Sequence, residues 1–499
     1  MHHQIIALCL GAALCLCCHL ACAADLPVAH VARGGYQELT SYEALQEFFA
    51  ALQRTGRCDL QAIAQSRQGR TITAVRFSPR EHAGGPVPRL RVLLFAQQHG
   101  DEPSGKEALT LLLAALARAD TDVAFGNLEL TIIPQMNPDG AEAGQRLTSE
   151  GIDLNRSHLI LNAPETRGLH AFIHSWLPDV SVDIHEYGSF SKSWSDSGII
   201  KTGDVQLGML TNLNISPALR RYQREAVFPA IRAAVEGNGY SFHEYIVGSP
   251  SGRIRHSTTE INDGRQSLGA LHTLAFIQEG RQWRTATEQL ERRTHSQLAA
   301  LIGLLRFCDA HAREIRDLVA REREDLRDIS GRMFVTLMEH TPSDRPMRIP
   351  VENVQTGEQE QWEVRPYHGI VTPVAEIKLP SAYLVPDSLT DVLEILSLQG
   401  VRLDTLRESA EVSAEVTILD SATTLTIEDE THVRWATRSV TGTARLEPGD
   451  LLVRLDQLPS ILVATLLEPG SMWGVSWYKR FEGFVRTGPF PVLRLTGSH

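Results

Sequence analysis

A histidine and a glutamate three residues apart, His99 and Glu102 in "QQHGDEPSG", can aim an imidazole nitrogen and a carboxylate at one point if a turn brings them round. The spacing alone says little. With 19 histidines and 60 acids the chain repeats it by chance at His311 and Glu314, where helical periodicity makes two neighbours on a solvated face the simpler reading. The first pair differs in its setting, because it stands where an apolar run, "LRVLLFAQQ", gives way to a helix-like run. A third group, His185 in "DIHEYG", ends another apolar run. Two histidines and a glutamate form the nitrogen and oxygen set that catalytic zinc takes, with a fourth position left for water. One zinc ion per chain is the expected cofactor. Asp101 is left outside this set, as a group that accepts a hydrogen bond in the turn or orients a ligand from behind.

Those residues need strands to carry them. "LRVLLFAQQ" suits a central strand covered on both faces, and "LELTIIPQ", "DVSVDIHEYG" and "LHTLAFIQEG" read as further strands. Between them, "PSGKEALTLLLAALARA" starts a helix, with Ser104 and Glu107 at capping-box spacing, and "PALRRYQREAVFPAIRAAVEGNG" is another helix. Such alternation predicts an α/β domain with a mainly parallel mixed sheet flanked by helices, whose sites lie beyond the carboxyl ends of the strands. His99, His185 and Glu279 all fall there. A long helix, in one piece or two, follows from a capping box at Thr285 and Glu288 and should pack back on this domain.

From about residue 330 the texture changes to a smaller β-rich C-terminal module. In "AEVSAEVTIL", Val412, Ala414, Val416 and Ile418 are expected on one face and Glu411, Ser413, Glu415 and Thr417 on the other. "SLTDVLEILSLQG" reads as a helix, and "LEPGDLLVRL" and "PSILVATLLEPG" as short runs bounded by turns. The expected division is 1–23 signal peptide, 24–80 N-terminal segment, 81–328 catalytic domain with the long helix, and 329–499 accessory module.

A chain of 499 residues with 42% hydrophobic and 22% charged residues is globular and has room for two or three domains. A net charge of −12 argues against a nucleic-acid partner. The N-terminus has an apolar run from Ile5 to Ala23 ending in Ala21-Cys22-Ala23, which suits export with cleavage after Ala23, although no Lys or Arg precedes it. An uncleaved anchor is the alternative, since the run is long enough to span. No later stretch is, so stable membrane insertion is not expected of the mature chain. The expected location is periplasmic or secreted. Five cysteines lie in the leader; Cys58 and Cys308 remain and are permitted, not required, to pair.

In these motifs the chain resembles the M14 family of zinc carboxypeptidases. "HGDE" is similar to the family's first two metal ligands (His99, Glu102) and "DIHEYG" to its third (His185); "NPDGAEAGQR" and "GIDLNRS" resemble the segment carrying Arg146, Asn155 and Arg156, and "FIQEG" the strand bearing the general base, Glu279. The resemblance covers about residues 85 to 285. It implies a zinc carboxypeptidase-like fold and a hydrolase that cuts the amide bond next to a free carboxylate in peptides, through a zinc-activated water. In that scheme Glu279 is the base, Arg146 stabilises the oxyanion, Asn155 and Arg156 clamp the terminal carboxylate, and Tyr187 lines the cleft. Two readings compete with it: a zinc-dependent amidase or deacylase of small N-acylated amino acids or wall peptides, and an inactive secreted binding protein on the same fold. The family's loop tyrosine has no counterpart between Tyr245 and Glu279; Tyr240, Tyr245, Arg255 and His256 are the replacements at hand. Arg253, Arg255, Glu260, Asp263 and Arg265 give that stretch both signs of charge, so no charge preference follows from it.

Overall fold

A computed structural model of the chain describes residues 27–77, 88–118, 125–427 and 430–496. The expected signal peptide lies outside the described residues.

The central element is an eight-stranded mixed sheet in the order β1-β2-β4-β3-β5-β11-β7-β8. Its strands are β1 (Asp59–Gln65), β2 (Thr71–Phe77), β3 (Leu90–Ala96), β4 (Leu128–Ile133), β5 (Val180–Gly188), β7 (Val205–Gly208), β8 (Phe242–Glu244) and β11 (Leu274–Gln282); β6 (Ile199–Lys201), β9 (Ile246–Val247) and β10 (Ile254–His256) belong to smaller sheets. The middle four, β4, β3, β5 and β11, run parallel. β1 and β2 extend the sheet antiparallel at one edge, so the segment before residue 80 is built into it.

Alternation along β5 assigns its side chains to two faces. Ile184 faces helix α1 (Ser104–Leu116), close enough that a Cβ on Gly105 would stand 2.6 Å from its methyl group. Glu186, on the same face, receives Arg293 from helix α2 (Leu290–Ala310) through a two-pronged ion pair of 2.8 and 3.0 Å. Asp183, His185 and Tyr187 point to the other face. The expected long helix is therefore present and packs back on the sheet. It breaks at His311, where α3 (Ala312–Asp325) begins.

Both expected capping boxes are replaced. Glu107 is taken by the backbone N–H and hydroxyl of Thr40, at 2.8 and 2.6 Å, and the start of α1 is capped by Glu186, which accepts from the Ser104 N–H. The Thr285 hydroxyl does accept from the Glu288 N–H, but in a turn that ends before α2 starts at Leu290.

Beyond residue 329 the chain is β-rich and interleaved with the first part. β12 (Met333–Ser343) and β15 (Tyr367–Lys378) share a sheet with β10 and β9, and β13 (Met347–Asn353) with β14 (Gln359–Val364) shares one with β6. A last sheet of six strands holds the hairpin of β18 (Ala410–Ile427) and β19 (Glu430–Leu446). Along β18 the expected alternation holds only to Ala414. Thr417 and Leu419 are the buried residues further on, because the pairing with β21 (Gly488–Leu495) shifts register between Val416 and Ile418. "PSILVATLLEPG" forms a helix, Ser460–Leu467, buried along its whole length. An apolar run covered all round has no period to distinguish helix from strand.

Candidate active site

Two backbone segments brace the turn that follows β3. A Cβ on Gly100 would come within 2.1 Å of the Gly140 carbonyl carbon, so only glycine lets "HGDE" lie against "NPDG". Asn137 locks the contact: its side-chain amide donates to the carbonyls of Gln98 and Arg146, and its oxygen caps the Gly140 N–H. The second motif thus holds the first in shape.

His99, Glu102 and His185 meet there, all buried, with one ligating atom from each lying within 4.8 Å of the others. His99 Nδ1 is 2.8 Å from Glu102 Oε1, His185 Nδ1 is 2.9 Å from Oε2, and the two Nδ1 atoms are 3.1 Å apart. Two imidazole nitrogens converging on a buried carboxylate suit a cation, and this donor set fits zinc. The opposite nitrogens are backed by acids: His99 Nε2 is 3.0 Å from Asp153 Oδ1, and His185 Nε2 is 2.9 Å from Asp183 Oδ1, off the line of a good hydrogen bond. Gln98 donates to Asp183 and accepts from His158, which in turn meets His170 at 3.1 Å. Orientation of the ligands through such partners is a role that carboxylates commonly fill. The place expected for Asp101 is therefore filled by Asp153 and Asp183, while one Asp101 carboxylate oxygen is buried without a hydrogen-bond partner.

The charges reinforce one another. Burial would raise the Glu102 carboxyl, yet the two histidines hold it well below its usual range. Burial would lower both imidazoles, yet Glu102 with Asp153 keeps His99 above its ordinary value, and Asp183 with Glu102 does the same for His185.

Glu279 sits opposite His185 in the parallel β5–β11 register and opposite Gln206 on β7, on the same face of the sheet as the histidines. Burial pushes its carboxyl up to about 7, against the pull of His185 and with the push of Glu102. Arg146 is the most open member, its side chain 44% exposed. Its guanidinium reaches His99 Nδ1 at 3.1 Å, Glu102 at 3.3 Å and Asp153 at 3.0 Å. A cation between the ligands would compete with it.

Asn155 and Arg156 follow Asp153 on one short 3₁₀ turn. The Asn155 oxygen is occupied, accepting from the Gly264 N–H at 2.9 Å. Arg156 donates to the Asn155 carbonyl and lines a cavity next to Asp153. Tyr187 is buried, donates to the Gly203 carbonyl and carries the Lys201 ammonium 4.4 Å over its ring. Lys201 is a missed neighbour of the base; burial lowers it to about 8, with Glu279 opposing. Of the replacements for a loop tyrosine, Tyr240 stacks under Arg292, His256 is buried beside Glu244, and Arg255 reaches Ser257 and Glu260. Tyr245 is held by its backbone between β7 and Ser257. Asp153 was legible in "DLNR" as a neighbour of two chosen residues, and Asp183 as the same-face residue two before His185. Cys58 and Cys308 are both buried and free.

Known proteins match this chain on those same segments. The zinc carboxypeptidase family (peptidase M14) matches residues 45–226, a span that holds β1 to β5 with His99, Glu102 and His185 and stops before Glu279. Carboxypeptidase 2 of Trichophyton rubrum is 26% identical over 428 residues, covering 82% of this chain and 77% of that protein. Carboxypeptidase 2 of Trichophyton tonsurans is 25% identical over 418 residues, 81% and 74% of the two chains. Among solved structures, a metallo-carboxypeptidase from Burkholderia cenocepacia superposes with a TM-score of 0.43 at 20% identity, over 55% of this chain and 71% of that one. Residues 45–226 match the zinc carboxypeptidase family, and the class of protein that these likenesses support is a metallopeptidase.

Proposed function

We propose that the protein is a zinc-dependent carboxypeptidase that releases the last residue of peptides with a free C-terminal carboxylate. The observation that carries this reading is the convergence of two Nδ1 atoms and the Glu102 carboxylate, with Glu279 one strand away in register.

His99, Glu102 and His185 would hold the ion. When bound, it supplies a Lewis acid for water and for the scissile carbonyl. Glu279, buried and held near neutrality, takes the proton of the attacking water on its carboxylate and passes it to the leaving amine nitrogen. The exposed Arg146 guanidinium swings from the ligand edge to donate to the developing oxyanion, where one such donor is typically worth about 10²- to 10³-fold. Arg156, with the Asn155 amide, pairs with the terminal carboxylate, a planar group that suits a guanidinium fork. Tyr187 acts from beneath, positioning Lys201. Among the described residues no helix is long and apolar enough to cross a membrane, and the leader sequence supports action outside the cytoplasm.

The test is to purify the mature chain, measure its metal by elemental analysis and assay release of C-terminal residues from a peptide library with and without chelator. Less than about 0.2 zinc per chain under metal-replete conditions would overturn the metalloenzyme reading, since a closed three-ligand site should fill. Release from acyl-amino acids without trimming of peptides would favour the deacylase instead.

A further inference from the structure

Between β5 and β7 the chain leaves the sheet for residues 189–204 and brings Lys201 back over the face that carries His185, Tyr187 and Glu279. The Lys201 ammonium stands 4.4 Å from the centre of the Tyr187 ring and 5.3 Å from that of Trp194. Both rings are fixed. The Tyr187 hydroxyl donates to the Gly203 carbonyl, and the Trp194 indole N–H donates to the Gly248 carbonyl at 2.9 Å. The backbone of Lys201 is held from the far part of the chain: β6 ends there paired with β13, Lys201 opposite Val351, and the Thr202 N–H donates to the Pro350 carbonyl at 3.0 Å. Trp194 and Ile199 share an apolar cluster with Ile349, Val351 and Val364 of that region.

An ammonium carries three N–H donors, and a ring face replaces only part of the water it loses on burial. Lys106, buried like Lys201, shows what a structural role requires: it donates to the Thr40 carbonyl and pairs with Glu107 at 3.3 Å. Lys201 is 7% exposed, and among the described residues its ammonium has no hydrogen-bond acceptor; it has the two ring faces and the charge of Glu279 nearby. Burial lowers it to about 8, so at pH 7 the charged form still dominates. Its place is as telling as its lack of an acceptor. Arg156 comes in on the His99 side of the ligands, next to Asp153, whereas Lys201 lies over the ring two residues past His185, on the Glu279 side. A peptide whose terminal carboxylate meets Arg156 and whose scissile carbonyl meets the ligands therefore carries its preceding residue towards Lys201.

We infer that Lys201 is a specificity-determining residue whose ammonium binds the carboxylate of an acidic side chain, Asp or Glu, on the residue preceding the one released. The inference rests on the proposed carboxypeptidase reading and deepens it. A carboxylate supplies the acceptor that the buried ammonium lacks, in a charge-assisted hydrogen bond shielded from water by Tyr187 and Trp194. A neutral amide of the same shape supplies a weaker acceptor, and a lysine sets two like charges against each other.

The experiment measures kcat/KM of the zinc-loaded enzyme on three matched peptides that differ in the residue before the last, Glu, Gln or Lys, for wild type and for Lys201→Met. Methionine keeps an unbranched stem between the two rings and removes the charge. We expect wild type to favour Glu over Gln by at least about 10-fold, and over Lys by more, as a desolvated hydrogen bond between charged groups allows. In Lys201→Met the Glu/Gln ratio should fall to about 1. A ratio taken on one preparation does not depend on the fraction folded, and circular dichroism and melting temperature check the fold. Calorimetric binding of the Glu and Gln peptides to zinc-loaded Glu279→Gln protein, with and without Lys201→Met, reads the same ratios without turnover. A wild type that treats Glu and Gln alike, or a variant that keeps the wild-type preference, overturns the inference and leaves the carboxypeptidase intact. So does an equal loss on all three peptides in Lys201→Met, which would make Lys201 a support for Glu279 alone. No release from any peptide by wild type overturns the carboxypeptidase reading, and the subsite falls with it.

Discussion

Two pairs of histidine and glutamate share a spacing and very nearly a geometry. His99 and Glu102 are 2.8 Å apart, and His311 and Glu314 are 3.0 Å apart. Their side chains are 3% and 6% exposed in the first pair, and 45% and 58% in the second. Around the first stand His185, Asp153 and Arg146; the second stacks its ring on Phe307 and faces water. A motif of two residues becomes a site only when the fold withdraws it from water and forces other donors to share the space. In water the second pair gains little, because solvent competes for both partners.

The largest expected difference comes from removing each histidine. His99→Ala should leave the protein folded but reduce bound zinc to under about 0.2 per chain, as one of three ligands is gone. Trimming should fall to background. Elemental analysis and a chelator-sensitive peptide assay check this together, and retention of a full equivalent of zinc would break the contrast between the pairs.

Next comes the base. Glu279→Gln should keep its zinc and lose at least about 10²-fold in kcat. Because a raised carboxyl is ionised only above its pKa, the acid limb of kcat/KM should rise through a value no higher than about 7, and bound metal, favouring the carboxylate, should move it lower. Loss of that limb in the variant identifies its owner. Below it in size is the effect of the carboxylate behind the ligand: Asp153→Asn should weaken zinc by about 10- to 100-fold, measured by competition with a chromophoric chelator. An unchanged affinity would mean that Asp153 serves Arg146 alone.

How much of this was legible in sequence follows from where the information sits. The strands "LRVLLFAQQ" and "DVSVDIHEYG" announced themselves, since burial on both faces demands a continuous apolar run. His99 and His185 were legible as candidates because they end those runs. Gln98 and His158 were not, although with Asp183 they form one hydrogen-bonded chain behind His185, because buried polar groups find partners by tertiary placement and carry no spacing rule. The capping boxes misled for the same reason. Glu107 met Thr40, 67 residues earlier, and a long-range partner outcompeted the local one. The interleaving of β6 and β10 with strands beyond residue 329 was equally invisible, since a three-residue edge strand has no pattern of its own.

The buried chain also predicts how the two histidine environments respond to acid. Burial lowers His158 from 6.5 to about 4. Between those values the unfolded chain binds the proton that the folded one refuses, so stability should drop as pH falls from about 6.5 to about 4, by up to about 1.4 kcal/mol per pH unit for this group. His243, His256 and His272 are depressed to similar values and act in the same direction. Melting temperature against pH should therefore fall steeply over that window. His158→Gln, which can still bond to Gln98, should make the curve shallower.

His311→Ala is the smallest expected effect and the sharpest control. The residue ends α2 and begins α3, with its Nδ1 3.0 Å from Glu314 and its ring 4.4 Å from that of Phe307. An exposed ion pair of this kind contributes about 0.5 kcal/mol or less. Zinc content and kcat/KM should stay as in wild type, and the melting temperature should move by about 2 °C at most. Raising salt to about 1 M should erase what pairing there is, while leaving the buried pair at 99 and 102 in place, because screening acts through the solvent that only one of them touches.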